Sequence, residues 1–148
     1  MELLDNVLRE ISEAKWEFYV YVLYKPDGTP FYVGKGTVKN KGLVNQRIRE
    51  HEVSAKSTIP FKQRRRCNRL KIQTIRKIWQ QGHQVLYAID SWHQLEECAL
   101  GREVALIAMI GRRMEKEGPL TNLRSGGEAS SDMTIDVKCR ISNSLKKY

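Results

Sequence analysis

The segment from Phe18 to Gly34, FYVYVLYKPDGTPFYVG, leaves the fold few options. Two runs rich in Val, Tyr and Phe flank Pro26, Asp27 and Gly28, a cluster that makes turns and stops helices, so the stretch predicts a β-hairpin. With a four-residue loop, Lys25 to Gly28, Tyr24 faces Thr29, Tyr21 faces Tyr32 and Tyr19 faces Gly34. Alternation then gathers the tyrosines on one face and Val20, Val22, Phe31 and Val33 on the other, which is expected to be the core side. The tyrosine face is unusual. A sheet side that only had to be wet would carry Lys, Thr and Glu, and a glycine among the phenols lets another group approach the backbone closely. Two readings stand: amphipathic tyrosines at a half-buried edge, or hydroxyls displayed for a function.

The 148 residues suit one domain with one core. The longest unbroken apolar run, Val104 to Ile110, is far too short for a bilayer, and the acidic start Met1 to Asp5 has the wrong sign for a signal peptide. These features predict a cytoplasmic protein, or a nuclear one in a eukaryote, with no membrane partner. Cys67, Cys98 and Cys139 are odd in number and form no Cys-x-x-Cys pair, which argues against a disulfide framework and a cysteine zinc site. His51, His83 and His93 show no zinc-ligand spacing either.

Charge is unevenly placed. Residues 35–77 hold fourteen Lys or Arg against Glu50 and Glu52, a local +12, so the rest of the +9 chain carries −3. Such a footprint points to a polyanion, most simply nucleic acid. A membrane surface fits less well, because the basic segment lacks the lipid-facing aromatic and Leu side of an interfacial helix.

In chain order, residues 1–15 predict an amphipathic helix on Leu4, Val7, Leu8 and Ile11, packed on the core. After the hairpin, a helix from about Leu43 to Lys56 stacks Arg47 and His51, four apart, on one face. Residues 61–81, FKQRRRCNRLKIQTIRKIWQQ, carry eight bases and no acid, with Leu70, Ile72, Ile75, Ile78 and Trp79 as a helical stripe and Gly82 as a stop. Phosphates would relieve that repulsion, and Lys62, Arg64, Arg65, Arg66, Arg69 and Lys71 are the candidate backbone contacts; a localisation signal is the competing use. Gln84 to Trp92 predicts a third strand. Leu95 to Arg113 predicts a helix whose buried stripe, residues 99, 103, 106, 107 and 110, includes Glu103. A buried carboxylate is expensive unless a cation or metal ion faces it, so Glu103 implies either a metal or a salt bridge, for example to Arg47. Residues 118–128 are irregular, and 129–148 predict a basic helical tail beyond a domain at 16–128.

Several of these stretches, in this order, resemble the GIY-YIG nuclease superfamily. Tyr19-Val20-Tyr21, ten residues and Tyr32-Val33-Gly34 match its name motif, with Tyr19 in place of the first glycine. Phe31 to Gly36 is most similar to the LEM-3-like branch. Arg47-Ile48-Arg49-Glu50-His51 resembles the third motif, Glu103 the single acidic residue and Asn122 the last asparagine, before a Gly-Gly pair. Ala129 stands where the branch commonly has another glycine. The resemblance implies an α+β fold, a three-stranded antiparallel sheet made of the hairpin and one strand, flanked by helices. It implies a divalent-metal-dependent DNA endonuclease with one Mg²⁺ or Mn²⁺ per site, held by Glu103.

In that scheme Tyr21 orients and deprotonates the attacking water, and a nearby cation, Lys35 or Arg47, must lower its phenol pKa from about 10. Arg47 holds the phosphate, Tyr32 and His51 order the water and proton relay, and Asn122 fixes the surrounding geometry. One site cuts one strand, so duplex breaks would need a homodimer or two successive nicks. A basic binding domain without catalysis, and an RNA-directed nuclease, are the other functions compatible with the sequence.

Overall fold

The hairpin forms, with one more residue in its turn and one more in its second strand than the sequence reading allows. The structure is a computed structural model and describes residues 1–38, 46–64 and 67–126. Strand β1 is Phe18–Tyr24 and β2 is Pro30–Thr37. The turn closes with Gly28 N donating to Lys25 O and Lys25 N to Thr29 O, both at 2.9 Å. Gly28 has φ 89°, a left-handed conformation open to glycine at little cost, and Asp27 Oδ1 accepts from Thr29 N at 2.8 Å. This adds one residue to the loop. A bulge at Phe31 adds the second, because Tyr24 pairs with Pro30 and Leu23 with Tyr32.

The two offsets correct the register. Tyr21 faces Gly34 rather than Tyr32, and Tyr19 faces Gly36 rather than Gly34. Being single-residue shifts that add to two, they keep the tyrosines on one face. Phe31 alone changes sides and packs with Tyr19, Tyr21 and Leu23.

Strand β3, Leu86–His93, pairs antiparallel with β1, giving the order β2-β1-β3. The helices are α1 (Leu4–Glu13), α2 (Arg47–Lys56), α3 (Arg69–Gln80) and α4 (Glu96–Ile110). The result is an α+β fold, a three-stranded antiparallel sheet flanked by helices. On the tyrosine side, Val7, Leu8 and Ile11 of α1, Ile48 and Ala55 of α2, and Ile72, Ile75 and Ile78 of α3 cover the sheet. On the other, Val20, Val22 and Val33 pack against Ala99, Leu106 and Ile107 of α4 and against Leu120. Both faces are therefore core, and Tyr19 and Tyr21 are each 0% exposed. The expectation of one core side fails because the tyrosine face is covered by three helices that local periodicity cannot assign to a face.

The basic segment is two pieces rather than one helix: a 3₁₀ turn at Phe61–Gln63, then α3 beginning after Asn68, whose side chain caps it by accepting from Lys71 N at 3.1 Å. Helix α4 stops at Gly111, φ 91°, short of the expected Arg113. Residues 43–45 of the expected second helix, Arg65, Arg66 and the 129–148 tail lie outside the described residues. No helix among those described is long and apolar enough to cross a membrane.

Candidate active site

The alternation of Tyr and Gly across β1 and β2 explains how two phenols are buried side by side. A Cβ at Gly34 would collide with the Tyr21 ring, and one at Gly36 with the Tyr19 ring. The rings lie flat on the opposite strand, so what approaches the glycine backbone closely is the protein's own tyrosine. Tyr19 then donates to Gln46 Oε1 at 2.8 Å. Its ring is 5.8 Å from that of Tyr21, in a tilted contact.

Tyr21 meets His51. Helix α2 buries the stripe Ile48, His51 and Ala55, so spacing of three and four carries the imidazole under the sheet, where Nε2 lies 2.5 Å from the Tyr21 hydroxyl. Burial pushes the Tyr21 phenol well above its ordinary value, with Tyr32, Tyr19 and Glu103 adding to the rise and Arg47 opposing it. Burial, and then the charges of Lys71 and Arg47, hold His51 well below the usual imidazole range. With a protonated phenol beside a neutral imidazole, the Nδ1–H tautomer of His51 lets Tyr21 O–H donate to Nε2. The sequence reading looked for a cation to lower the Tyr21 phenol; Arg47 does act in that direction, but burial outweighs it.

Tyr32 completes the group. Its ring is 4.7 Å from His51 and 6.5 Å from Tyr21, centroid to centroid. Burial raises its phenol too, while Arg47, within hydrogen-bonding reach, works against that rise. Arg47 is exposed and Tyr32 half-buried, whereas Tyr21 and His51 are sealed. The cluster thus opens at the Arg47 and Tyr32 end.

Glu103 is half-buried on α4, and its charge is felt at Tyr21, Tyr32 and Arg47. Gly126, φ 92°, lies against it: a Cβ there would stand 3.0 Å from Glu103 Oε1 and 3.1 Å from Ile107 Cδ1. Among the described residues no group of three or more His, Cys, Asp or Glu forms a metal cage. A single hard carboxylate oxygen suits the kind of ion that keeps most of its waters and binds through one carboxylate plus substrate phosphate, as Mg²⁺ does. The residues present fit such an ion.

Asn122 is 7% exposed and behaves as an extra strand residue. Its Oδ1 accepts from Val33 N at 3.0 Å and its Nδ2 donates to Val33 O at 2.8 Å. Beside it, Thr121 donates to Phe31 O through both N and Oγ1 at 2.7 Å. Strand β2 is the sheet edge, and this segment covers its open groups, fixing the strand that carries Tyr32 and Gly34.

The remaining predicted residues scatter. Lys35, beside Gly34 in sequence, projects to the other face, where Nζ pairs with Glu96 Oε1 at 2.9 Å and sits 5.2 Å from the Phe18 ring centroid. It does not join Tyr21. Arg64 donates to the carbonyls of Ser54, Ser57 and Ile59 at 2.9–3.0 Å and stacks on Phe61, as Arg69 and Arg76 also do. Those contacts tie the end of α2 to the start of α3. Lys62 and Arg69 are exposed, and Lys71 turns inward, its Nζ 4.6 Å from the Tyr32 ring centroid.

Sequence reasoning missed Gln46 and Asn68, and it named Lys71 as a backbone contact without its inward orientation. Asn68 was findable as an Asn just before a helical stripe, and it also donates to Thr121 O at 2.9 Å. The orientation of Lys71 was findable because 71, 75 and 78 share one face of α3. Compared with known proteins, residues 7–142 match the family model described as the LEM-3-like GIY-YIG domain. No curated protein and no solved structure matches the chain.

Proposed function

The chain belongs to the LEM-3-like GIY-YIG family, a family of nuclease type, and from that membership we propose that it is a divalent-metal-dependent DNA endonuclease. The observation that supports this most is the Tyr21–His51 hydrogen bond at 2.5 Å, set beside Tyr32 and Arg47 and within the field of Glu103. Hydrolysis of a phosphodiester needs a water relieved of a proton, a cation on the phosphate and help for the leaving oxygen.

Arg47, exposed at the mouth of the cluster, binds a non-bridging phosphate oxygen. The attacking water gives its proton to Tyr21 Oη as Tyr21 passes its own to His51 Nε2. Tyr21 thus acts as a relay and never has to persist as a phenolate, which its burial disfavours. As the water oxygen bonds to phosphorus the bond to the leaving oxygen breaks, and the leaving oxygen takes a proton from solvent. Tyr21 has no exposed surface, so in this mechanism the water comes to it from the Arg47 and Tyr32 end, where the cluster is open. A Mg²⁺ or Mn²⁺ ion held by Glu103 would supply positive charge against the leaving oxygen. Lys62 and Arg69, both exposed, are the proposed contacts to the flanking backbone, by charge and without reading sequence.

Incubation with supercoiled plasmid tests this. Open circles should form with Mg²⁺ and not with EDTA, and Glu103→Gln should abolish them. A Glu103→Gln protein that nicks at the parent rate would remove the assignment. Plasmid bound but left intact with either ion would make the protein a non-catalytic binding domain, and preferential cleavage of RNA in competition would change the substrate class.

A further inference from the structure

Helix α3 brings a second cation into the cluster. Its buried stripe is Ile72, Ile75 and Ile78; Lys71 lies four residues before Ile75 and seven before Ile78, so the helix turns it inward with them. The ammonium lies over the face of Tyr32, 4.6 Å from the centroid, and Tyr32 in turn meets His51 in a tilted ring contact. No carboxylate among the described residues is within ion-pair distance of Lys71. The groups that bear on it are Arg47, Glu50 and His51 of α2, Tyr32 of β2 and Cys67 just ahead of α3.

Two cations, Lys71 and Arg47, therefore both bear on Tyr32 and feel each other's charge. Burial first, and then the Arg47 charge, lower the Lys71 ammonium to about 8. Holding like charges together is unfavourable until an anion enters between them. A phosphodiester brings one negative charge, which grows toward two as the nucleophile adds, so the second cation matters most at the transition state.

We propose that Lys71 is a catalytic residue of this site, its ammonium binding, together with Arg47, a non-bridging oxygen of the scissile phosphodiester. This rests on the nuclease reading above. It assigns to α3 the lysine that the sequence reading sought at Lys35, whose side chain is committed to Glu96 across the sheet.

The test combines nicking with binding. Lys71→Met should lower kcat/KM for plasmid nicking on the order of 100-fold, and Lys71→Arg should recover part of it. In the wild type, kcat/KM should fall as pH rises through about 8, where the free ammonium loses its proton; Lys71→Arg should lack that alkaline limb. A purely packing role would leave the limb in place in both proteins. If Lys71→Met does not fold, the wild-type and Lys71→Arg profiles decide alone. If the wild type nicks nothing, the nuclease reading fails, and binding of a short duplex in EDTA decides this proposal separately. Lys71→Met should then bind about tenfold more weakly. Equal affinity there, or nicking by Lys71→Met at the wild-type rate with the alkaline limb retained, overturns it.

Discussion

Removing the Asn122 amide should loosen the sheet edge beneath the candidate site by an amount the structure lets one work out. The side chain makes two bonds to one residue, accepting from Val33 N at 3.0 Å and donating to Val33 O at 2.8 Å, and Val33 is fully buried. Asn122→Ala leaves both backbone groups without partners. Each stranded buried group costs about 1–3 kcal/mol, so the substitution should cost about 2–6 kcal/mol. Set against a total of about 5–15 kcal/mol for a domain, that is a large share. With a urea slope of about 2 kcal/mol/M, a loss of about 4 kcal/mol moves the unfolding midpoint down by roughly 2 M.

Asn122→Asp sharpens the test. Near neutral pH the new carboxylate can still accept from Val33 N but sets an oxygen against Val33 O. Its protonated form could donate there, so folding raises its pKa. The folded state then binds more protons than the unfolded one, and its stability falls as pH rises. The loss relative to wild type should therefore shrink between about pH 7 and about pH 4. A loss under about 1 kcal/mol for Asn122→Ala, or no pH dependence for Asn122→Asp, would refute the idea that this amide closes the edge of β2.

Gly34→Ala places a methyl group where the Tyr21 ring lies; overpacking of this kind costs about 1–3 kcal/mol. Thermal unfolding and nicking should both suffer, and a variant with unchanged rate and midpoint would mean that the ring does not rest on Gly34. His51 titrates well below the ordinary imidazole value of 6.5. A base that must be neutral then keeps kcat/KM level as pH falls through that value, with the acid limb appearing only below it. The same shift acts on stability. The contribution of His51 is fully present above the unfolded value and is lost as pH falls toward the folded one. An acid limb centred at 6.5 or higher would show that His51 is not held neutral by burial.

What could be read from the sequence follows from how local each signal is. The hairpin, the third strand and the stripe positions of His51 and Glu103 depend on periods of two and of three to four, which survive without knowledge of the packing. The register did not survive, because a left-handed Gly28 and a bulge at Phe31 each insert a residue that pattern alone does not reveal. The meaning of Gly34 and Gly36 was equally hidden, since it depends on the ring across the ladder rather than on a ligand. The basic tract shows the limit of composition. It holds Arg64, which fastens backbone carbonyls, the exposed Lys62 and the inward-facing Lys71. Charge counts treat these three alike.

The central claim is that the phenol of Tyr21, bonded to His51, handles the proton of the attacking water. Its most direct test is single-turnover nicking of supercoiled plasmid in Mg²⁺ by Tyr21→Phe, which removes one oxygen and keeps the ring on Gly34. Loss of this proton path predicts a fall of about 100-fold or more with DNA binding and folding retained. Nicking at the wild-type rate would contradict it.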